Sequence, residues 1–289
     1  MIDTPCAVAL GFFDGVHIAH QKIIKCAVDY AKTNNLTPVV LSFEASPLEI
    51  LAPGKAKYLT THTQKERIIT SLGAKAVFLP ISAEFLNMSP PNFIREILVD
   101  KFSAKYAVCG YNYRFGKGGA GDTRLLSLEG EKLGFETKIL ECENFEGESV
   151  SSSRIRELIT EGNVMLAEKL LGRPFFVEGT VSEGKHLGRT IGFPTANMFL
   201  ENGVITPKNG VYKTRVTVDA KTYSAITNTG INPTVGGEAL RTETYIPNFT
   251  QNIYNKEMKI EFIEFIRSER KFESINALKR QIAEDVLRL

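Results

Sequence analysis

What most restricts the fold is an alternation. Apolar runs that read as strands take turns with helix-spaced segments five times before residue 162. The strands are Val8 to Leu10, Pro38 to Phe43, Ala76 to Leu79, Tyr106 to Gly110 and Glu136 to Leu140. The first helix has Ile23, Ile24, Ala27, Val28 and Ala31 on one face. Others run from Thr63 to Leu72, from Pro90-Pro91 onward, from Thr123 to Leu133 and from Ser152 to Thr160. The strands are continuously apolar rather than alternating, which predicts a parallel sheet covered on both faces, a doubly wound α/β domain. Ligands bind such sheets beyond the carboxyl ends of the strands, so residues placed just after strands are the site candidates.

Beyond Gly162 the pattern changes. Val211 to Val218 alternates, Asp219 to Lys221 turns and Thr222 to Thr227 returns, the signature of a hairpin. Lys259 to Arg267 is a further strand, and from Ser274 onward Ile275, Leu278, Ile282, Val286 and Leu289 line one side of a helix. These features predict a second, all-β domain, a small antiparallel barrel closed by a C-terminal helix. The two short helices around Gly162 are the expected junction, giving domains 1–162 and 163–289.

A net charge of +2 offers no electrostatic case for nucleic acid. No stretch approaches the ~20 apolar residues of a membrane span, and the first residues show no signal pattern. Four cysteines form no Cys-x-x-Cys pair, and three of them sit in runs that read as core. Free thiols in a cytoplasmic, reducing setting are the expectation. The oligomeric state is left open.

The stretch from Val8 to Gln21 carries the first chemistry. An apolar run breaks at Gly11, turns through Asp14-Gly15 and re-emerges with His17 and His20, predicted to share the first turn of a helix. A helix start offers unpaired N–H groups and the positive end of the dipole, and two imidazoles there can donate to the same anion. No further Cys or His stands at a spacing that would complete a zinc site. An ordinary turn and helix cap is the plain alternative. Val150 to Arg156 adds three serines and two arginines at another helix start, either an anion cluster or a serine cap with solvated arginines.

Together these strings resemble the two signatures of the nucleotidyltransferase superfamily. The chain is most similar to the bacterial bifunctional riboflavin kinase / FMN adenylyltransferase (FAD synthetase) family. The resemblance implies a Rossmann-like N-terminal domain in which Gly11, Phe12, Asp14, His17 and His20 meet ATP. It implies that Ser152, Ser153 and Arg156 hold the leaving pyrophosphate. Flavin contacts fall by the same match on Phe43, Pro47, Asn112, Tyr113 and Phe115. This chain has Ala19 where the family has glycine, Ala45 and Ser46 where it has proline and histidine, and Gly119 near a common arginine.

In the second domain, Gly192 to Asn197 closely matches the riboflavin kinase signature. The resemblance assigns Gly184, Lys185, Gly188 and Gly192 to ATP, and Thr195 and Asn197 to ATP phosphates and Mg²⁺. Thr195 and Asn197 alternate to one face of a strand, and hard oxygens suit magnesium. Glu243 falls where the family has its catalytic base; Tyr245 and Asn248 replace a common His and Asp. The implied function is FAD synthesis from small molecules alone, riboflavin to FMN in the barrel and FMN to FAD in the N-terminal domain, with ATP as co-substrate. Two readings compete with it: a kinase with an impaired or altered adenylyltransferase half, and a non-catalytic flavin- or nucleotide-binding regulatory paralogue.

Overall fold

The computed structural model describes residues 4–46, 57–184, 187–200, 203–234 and 237–289. The chain divides into two compact units, Met1–Ser152 and Ser153–Leu289.

In the first unit five parallel strands are ordered β3-β2-β1-β4-β5. They are β1 (Cys6–Leu10), β2 (Thr37–Phe43), β3 (Lys75–Leu79), β4 (Ala104–Gly110) and β5 (Glu136–Leu140). Every residue of β1 is at most 1% exposed, as a central strand covered on both faces must be. In-register pairs run Val8↔Val39 and Val8↔Ala107. The chain moves outward from β1 through β2 to β3, then returns to β1's other side with β4. That reversal opens a crevice at the carboxyl ends of β1 and β4.

The helices are α1 (Ile18–Asn34), α2 (His62–Ser71), α3 (Phe93–Lys101) and α4 (Thr123–Leu133). Their ends follow local chemistry. α1 stops at Asn35 in the left-handed region, φ 53°. α2 opens with a reciprocal Thr61–Gln64 capping box. α3, wound as a π-helix, is led in by Pro90 and Pro91, and α4 is capped by Asp122 and closed by Gly134 at φ 80°. A small hairpin, β6 (Asn144–Phe145) with β7 (Glu148–Ser149), follows β5. All four cysteines are free thiols; Cys6 and Cys109 are buried, whereas Cys26 and Cys142 are only partly covered. Burial pushes the Cys6 thiol up to about 11 and the Cys109 thiol to about 12.

The helix α5 (Ser152–Glu161) begins on the last residue of the first unit, and α6 (Val164–Leu171) follows after Gly162. The second unit is then a closed barrel in the order β10-β11-β12-β9-β8-β13. Its strands are β8 (Phe175–Ser182), β9 (Thr195–Phe199), β10 (Gly210–Val218), β11 (Lys221–Thr234), β12 (Gly237–Tyr245) and β13 (Glu257–Arg267). The last helix is α7 (Ile275–Val286), capped by Ser274. Alternation decides which residues fill the lumen: Tyr212, Thr214, Val216 and Val218 of β10 are buried, while Arg215 between them is exposed. Polar lumen residues satisfy one another, Thr214 to Thr227 at 2.8 Å and Thr227 to Thr244 at 3.0 Å. Closure removes free strand edges. Because Thr242, Thr244 and Met198 point inward and are fully buried, their neighbours Arg241, Glu243, Thr195 and Asn197 stand on the barrel's outer face.

Candidate active sites

In the first unit a cavity of about 640 Å³ opens at the sheet's switch point. It is lined by Gly11, Phe12, His17 and His20 from the β1–α1 turn, Phe43 from the end of β2, Asn112 and Tyr113 after β4, and Ser152. The turn that delivers the histidines is tightly wound, with Phe13, Gly15 and Val16 at φ 56°, 75° and 41°. Phe13 and Val16 are wholly buried, so packing holds them in a conformation that side chains ordinarily avoid.

His17 is not in the first helical turn, as the spacing had predicted, but is the N-cap of α1. Its Nδ1 accepts the His20 backbone N–H at 3.4 Å. An accepting Nδ1 leaves the ring proton on Nε2. The two rings stack with centroids 3.6 Å apart. His20 Nδ1 is buried without a hydrogen-bond partner among the described residues. Burial, with smaller contributions from His17 and Lys65, holds the His20 imidazole well below its usual value. Both rings line the cavity, with the His17 ring fixed by its bond to the α1 backbone.

Asp14 has another task. Its Oδ1 accepts the Leu59 N–H at 2.9 Å, its carbonyl accepts the Ser152 hydroxyl at 2.9 Å, and it is 5% exposed. Asp14 does not line the cavity; it ties the turn to the segment before α2. Phe115 is likewise buried, packed on Phe93 and stacked on Tyr113, so of these two aromatics only Tyr113 borders the cavity. Burial, then Cys109, raises the Tyr113 phenol above its usual value. Ala19 lines the cavity, and a Lys22–Glu143 ion pair of 2.5 Å sits on its wall. Ser153 and Arg156 belong to the second unit, where Arg156 Nη2 donates to Ser153 Oγ at 3.2 Å. Pro47 lies outside the described residues.

Sequence reading missed Lys65 altogether. It lies on α2 four residues before the buried Ile69, a core position, and it is 5% exposed. Its Nζ donates to the Phe12 carbonyl at 3.1 Å and Ser42 Oγ at 3.3 Å, with the Phe12 ring 4.2 Å away. Burial brings the amine down to about 8, partly offset by Asp14.

In the second unit, Thr195 lines two cavities at once. One, about 300 Å³, lies between the barrel wall and α7 and includes Glu243, Asn228, Phe193 and Ile282. The other, about 320 Å³, includes Pro194, Phe249, Asn252 and Tyr254. Register pairs Asn228 with Glu243 and Glu243 with Asn197, one polar row across β11, β12 and β9. Asn228 Nδ2 donates to Glu269 at 2.9 Å, while its Oδ1 is buried without a partner among the described residues. The expected glycines earn their places sterically: a Cβ on Gly184 would stand 2.2 Å from Asn197 Nδ2, and one on Gly188 would stand 2.3 Å from the Phe193 carbonyl. Gly192 sits exposed at φ 87°. Lys185 lies outside the described residues. The neighbour no motif pointed to is Arg241, whose guanidinium meets Asn197 Oδ1 and Glu243.

Two family models match in chain order, FAD synthetase over residues 1–154 and riboflavin kinase over residues 171–289. The bifunctional riboflavin kinase/FMN adenylyltransferase of Escherichia coli K12 is 35% identical, covering 98% of this chain and 91% of its own length. The Bacillus subtilis protein of the same name is 36% identical over 96% and 89%. A solved Streptococcus pneumoniae structure titled as a macrolide-efflux protein superposes with a TM-score of 0.92 at 32% identity, covering 99% of this chain and 94% of that one. Among the described residues no helix is long and apolar enough to cross a membrane. With both of its halves matched and near-full-length relatives above one-third identity, this chain belongs to the bifunctional riboflavin kinase/FMN adenylyltransferase family and carries both activities.

Proposed function

We propose that the two reactions are carried out separately, residues 1–162 forming the adenylyltransferase domain and 163–289 the kinase domain, in the cytoplasm. In the barrel, riboflavin occupies the cavity under α7 and ATP the one beside Phe249. Thr195, the residue common to both, is the observation that carries this reading. The 5′-hydroxyl of riboflavin attacks the γ-phosphorus, its proton passes to Glu243, and ADP leaves. Asn228 Oδ1, a buried acceptor next to Glu243 in register, suits a hydroxyl of the same substrate.

Thr195 Oγ1 and Asn197 Oδ1 are hard oxygens two residues apart on one strand face, and that donor chemistry fits Mg²⁺. Bound there with ATP, the ion supplies neutralisation of phosphate charge. The protein's part is to position the donors: Gly184 leaves room for the Asn197 amide and Gly188 for the turn that delivers Thr195.

In the first unit the phosphate of FMN attacks the α-phosphorus of ATP and pyrophosphate leaves. The start of α1, with its unpaired N–H groups and the Nε2–H of His17, supports the triphosphate. Ser152 receives the pyrophosphate, and Phe43 and Tyr113 flank the flavin. Such a displacement asks for positioning and charge stabilisation rather than covalent help.

The test is a crossed pair of variants assayed with Mg-ATP and either riboflavin or FMN. Glu243→Gln should make no FMN from riboflavin yet convert supplied FMN to FAD. The double variant His17→Ala/His20→Ala should make FMN and stop there. If Glu243→Gln phosphorylates riboflavin at the normal rate, Glu243 is not the base. FMN without FAD from the unaltered chain would select an impaired adenylyltransferase half.

A further inference from the structure

Arg241 lies two residues before Glu243 on the same face of β12, and that Glu243 pairs in register with Asn197. The guanidinium closes on both. Its Nε and Nη2 donate to Asn197 Oδ1 at 3.0 and 2.5 Å, and Nη2 lies 3.1 Å from Glu243 Oε1. Arg241 is only 13% exposed, so this is a fixed contact rather than a passing surface pair. Both donors belong to one guanidinium and reach the amide oxygen from the same side, a two-pronged clasp that brings the positive charge within hydrogen-bond distance of it. Asn197 is 5% exposed and has Gly184 against its Nδ2, which leaves the amide little room to turn its oxygen elsewhere. A divalent ion that uses this oxygen meets a cation that already holds it.

We propose that Arg241 is a positioning residue that stands in for the metal: without nucleotide it holds Asn197 Oδ1 and the Glu243 carboxylate in place, and it yields that oxygen when metal arrives. This rests on the reading of Thr195 and Asn197 as the kinase metal donors. The consequence is selectivity for the metal–nucleotide complex over the bare ion. A free divalent ion meets the full repulsion of the guanidinium. An ion carrying ADP or ATP brings phosphate charge that offsets it. Even at water's dielectric, a divalent ion about 5 Å from one positive charge loses roughly tenfold in affinity.

The experiment titrates the full chain with Mn²⁺ by electron paramagnetic resonance, with and without ADP. Arg241→Gln should bind free Mn²⁺ at least about tenfold more tightly than the unaltered protein, and the tightening that ADP brings should shrink. Arg241→Lys keeps the charge but loses the two-pronged clasp, and should fall between the two; it also serves if the glutamine variant does not fold. Thr195→Val reports which bound Mn²⁺ belongs to this site. Unchanged or weaker Mn²⁺ binding in both Arg241 variants, with binding still lost in Thr195→Val, overturns the role of Arg241 alone. Mn²⁺ binding that ignores Thr195→Val removes the metal from this site and both readings with it.

Discussion

His17 and His20 lie face to face, ring planes 17° apart and centroids 3.6 Å apart, with the His17 ring accepting the backbone N–H of its partner. A second positive charge cannot be placed on such a pair cheaply, and burial adds to the cost, so His20 is held well below its usual range. The unfolded chain therefore binds a proton at His20 near pH 6.5 that the folded chain refuses. Stability is full above that pH and falls as pH drops below it. Between pH 7 and 5 the unaltered protein should lose about 1–2 kcal/mol that His20→Gln does not lose, read by urea unfolding at each pH. Parallel pH profiles for the two proteins would remove this account of the pair.

Lys65 gives the opposite end of the same scale. Folded, its amine titrates near 8; unfolded, at the ordinary lysine value. Between about pH 8 and 10.5 the unfolded state binds the extra proton, so stability from this group rises with pH across that window. Relative to Lys65→Met, the unaltered protein should gain up to about 3 kcal/mol over the window. The same variant removes a donor shared by the Phe12 carbonyl and the Ser42 hydroxyl, which are themselves hydrogen-bonded. FAD formation from FMN should then weaken at every pH while riboflavin phosphorylation is spared.

Periodicity and punctuation made most of the fold legible, for a physical reason: strands buried on both faces, proline-led helix starts and glycine ends are local signals. The helix from Thr123 to Leu133 and the strand from Glu136 to Leu140 stand where the residues alone put them. What escaped is long-range. Asp14 looked like a ligand for a nucleotide because its partner, the Leu59 amide, is 45 residues away. Phe115 was assigned to the flavin by resemblance, and nothing local shows Phe93 against it. Lys65 and Arg241 drew no notice in the sequence, since lysine and arginine are seldom buried unless paired. The strand β8, Phe175 to Ser182, was not anticipated, because its run Phe-Phe-Val-Glu-Gly-Thr mixes both patterns.

The cavity proposed for riboflavin depends on one buried ion pair. Arg267 of β13 clasps Asp285 of α7, Nη2 to Oδ2 at 2.7 Å and Nε to Oδ1 at 3.1 Å, with the Asp285 side chain 3% exposed. Gln281 adds a third donor at 2.9 Å. Removing one partner strands the other, and Asp285→Ala should cost about 3–5 kcal/mol, seen as earlier unfolding of the second unit. α7 forms one wall of the cavity, so the KM for riboflavin should rise while adenylylation of supplied FMN is unchanged. An undisturbed riboflavin KM would mean that α7 does not hold the substrate.

Gly184 offers the sharpest steric test, because its backbone needs no special conformation and only space is at issue. A Cβ there would stand 2.2 Å from Asn197 Nδ2 and 2.6 Å from its Cγ. The amide must move, yet Arg241 grips its oxygen from the other side. Overpacking of this kind costs about 1–3 kcal/mol. In Gly184→Ala that cost falls on the donor beside the phosphates, so the KM for ATP in riboflavin phosphorylation should rise by roughly 5- to 150-fold, the same energy expressed as a ratio. Adding Arg241→Gln should recover part of the loss, since an amide released on one side can yield on the other. If the double variant is no better than Gly184→Ala alone, the two residues do not act on Asn197 together, and the coupling that joins them across β9 and β12 is absent.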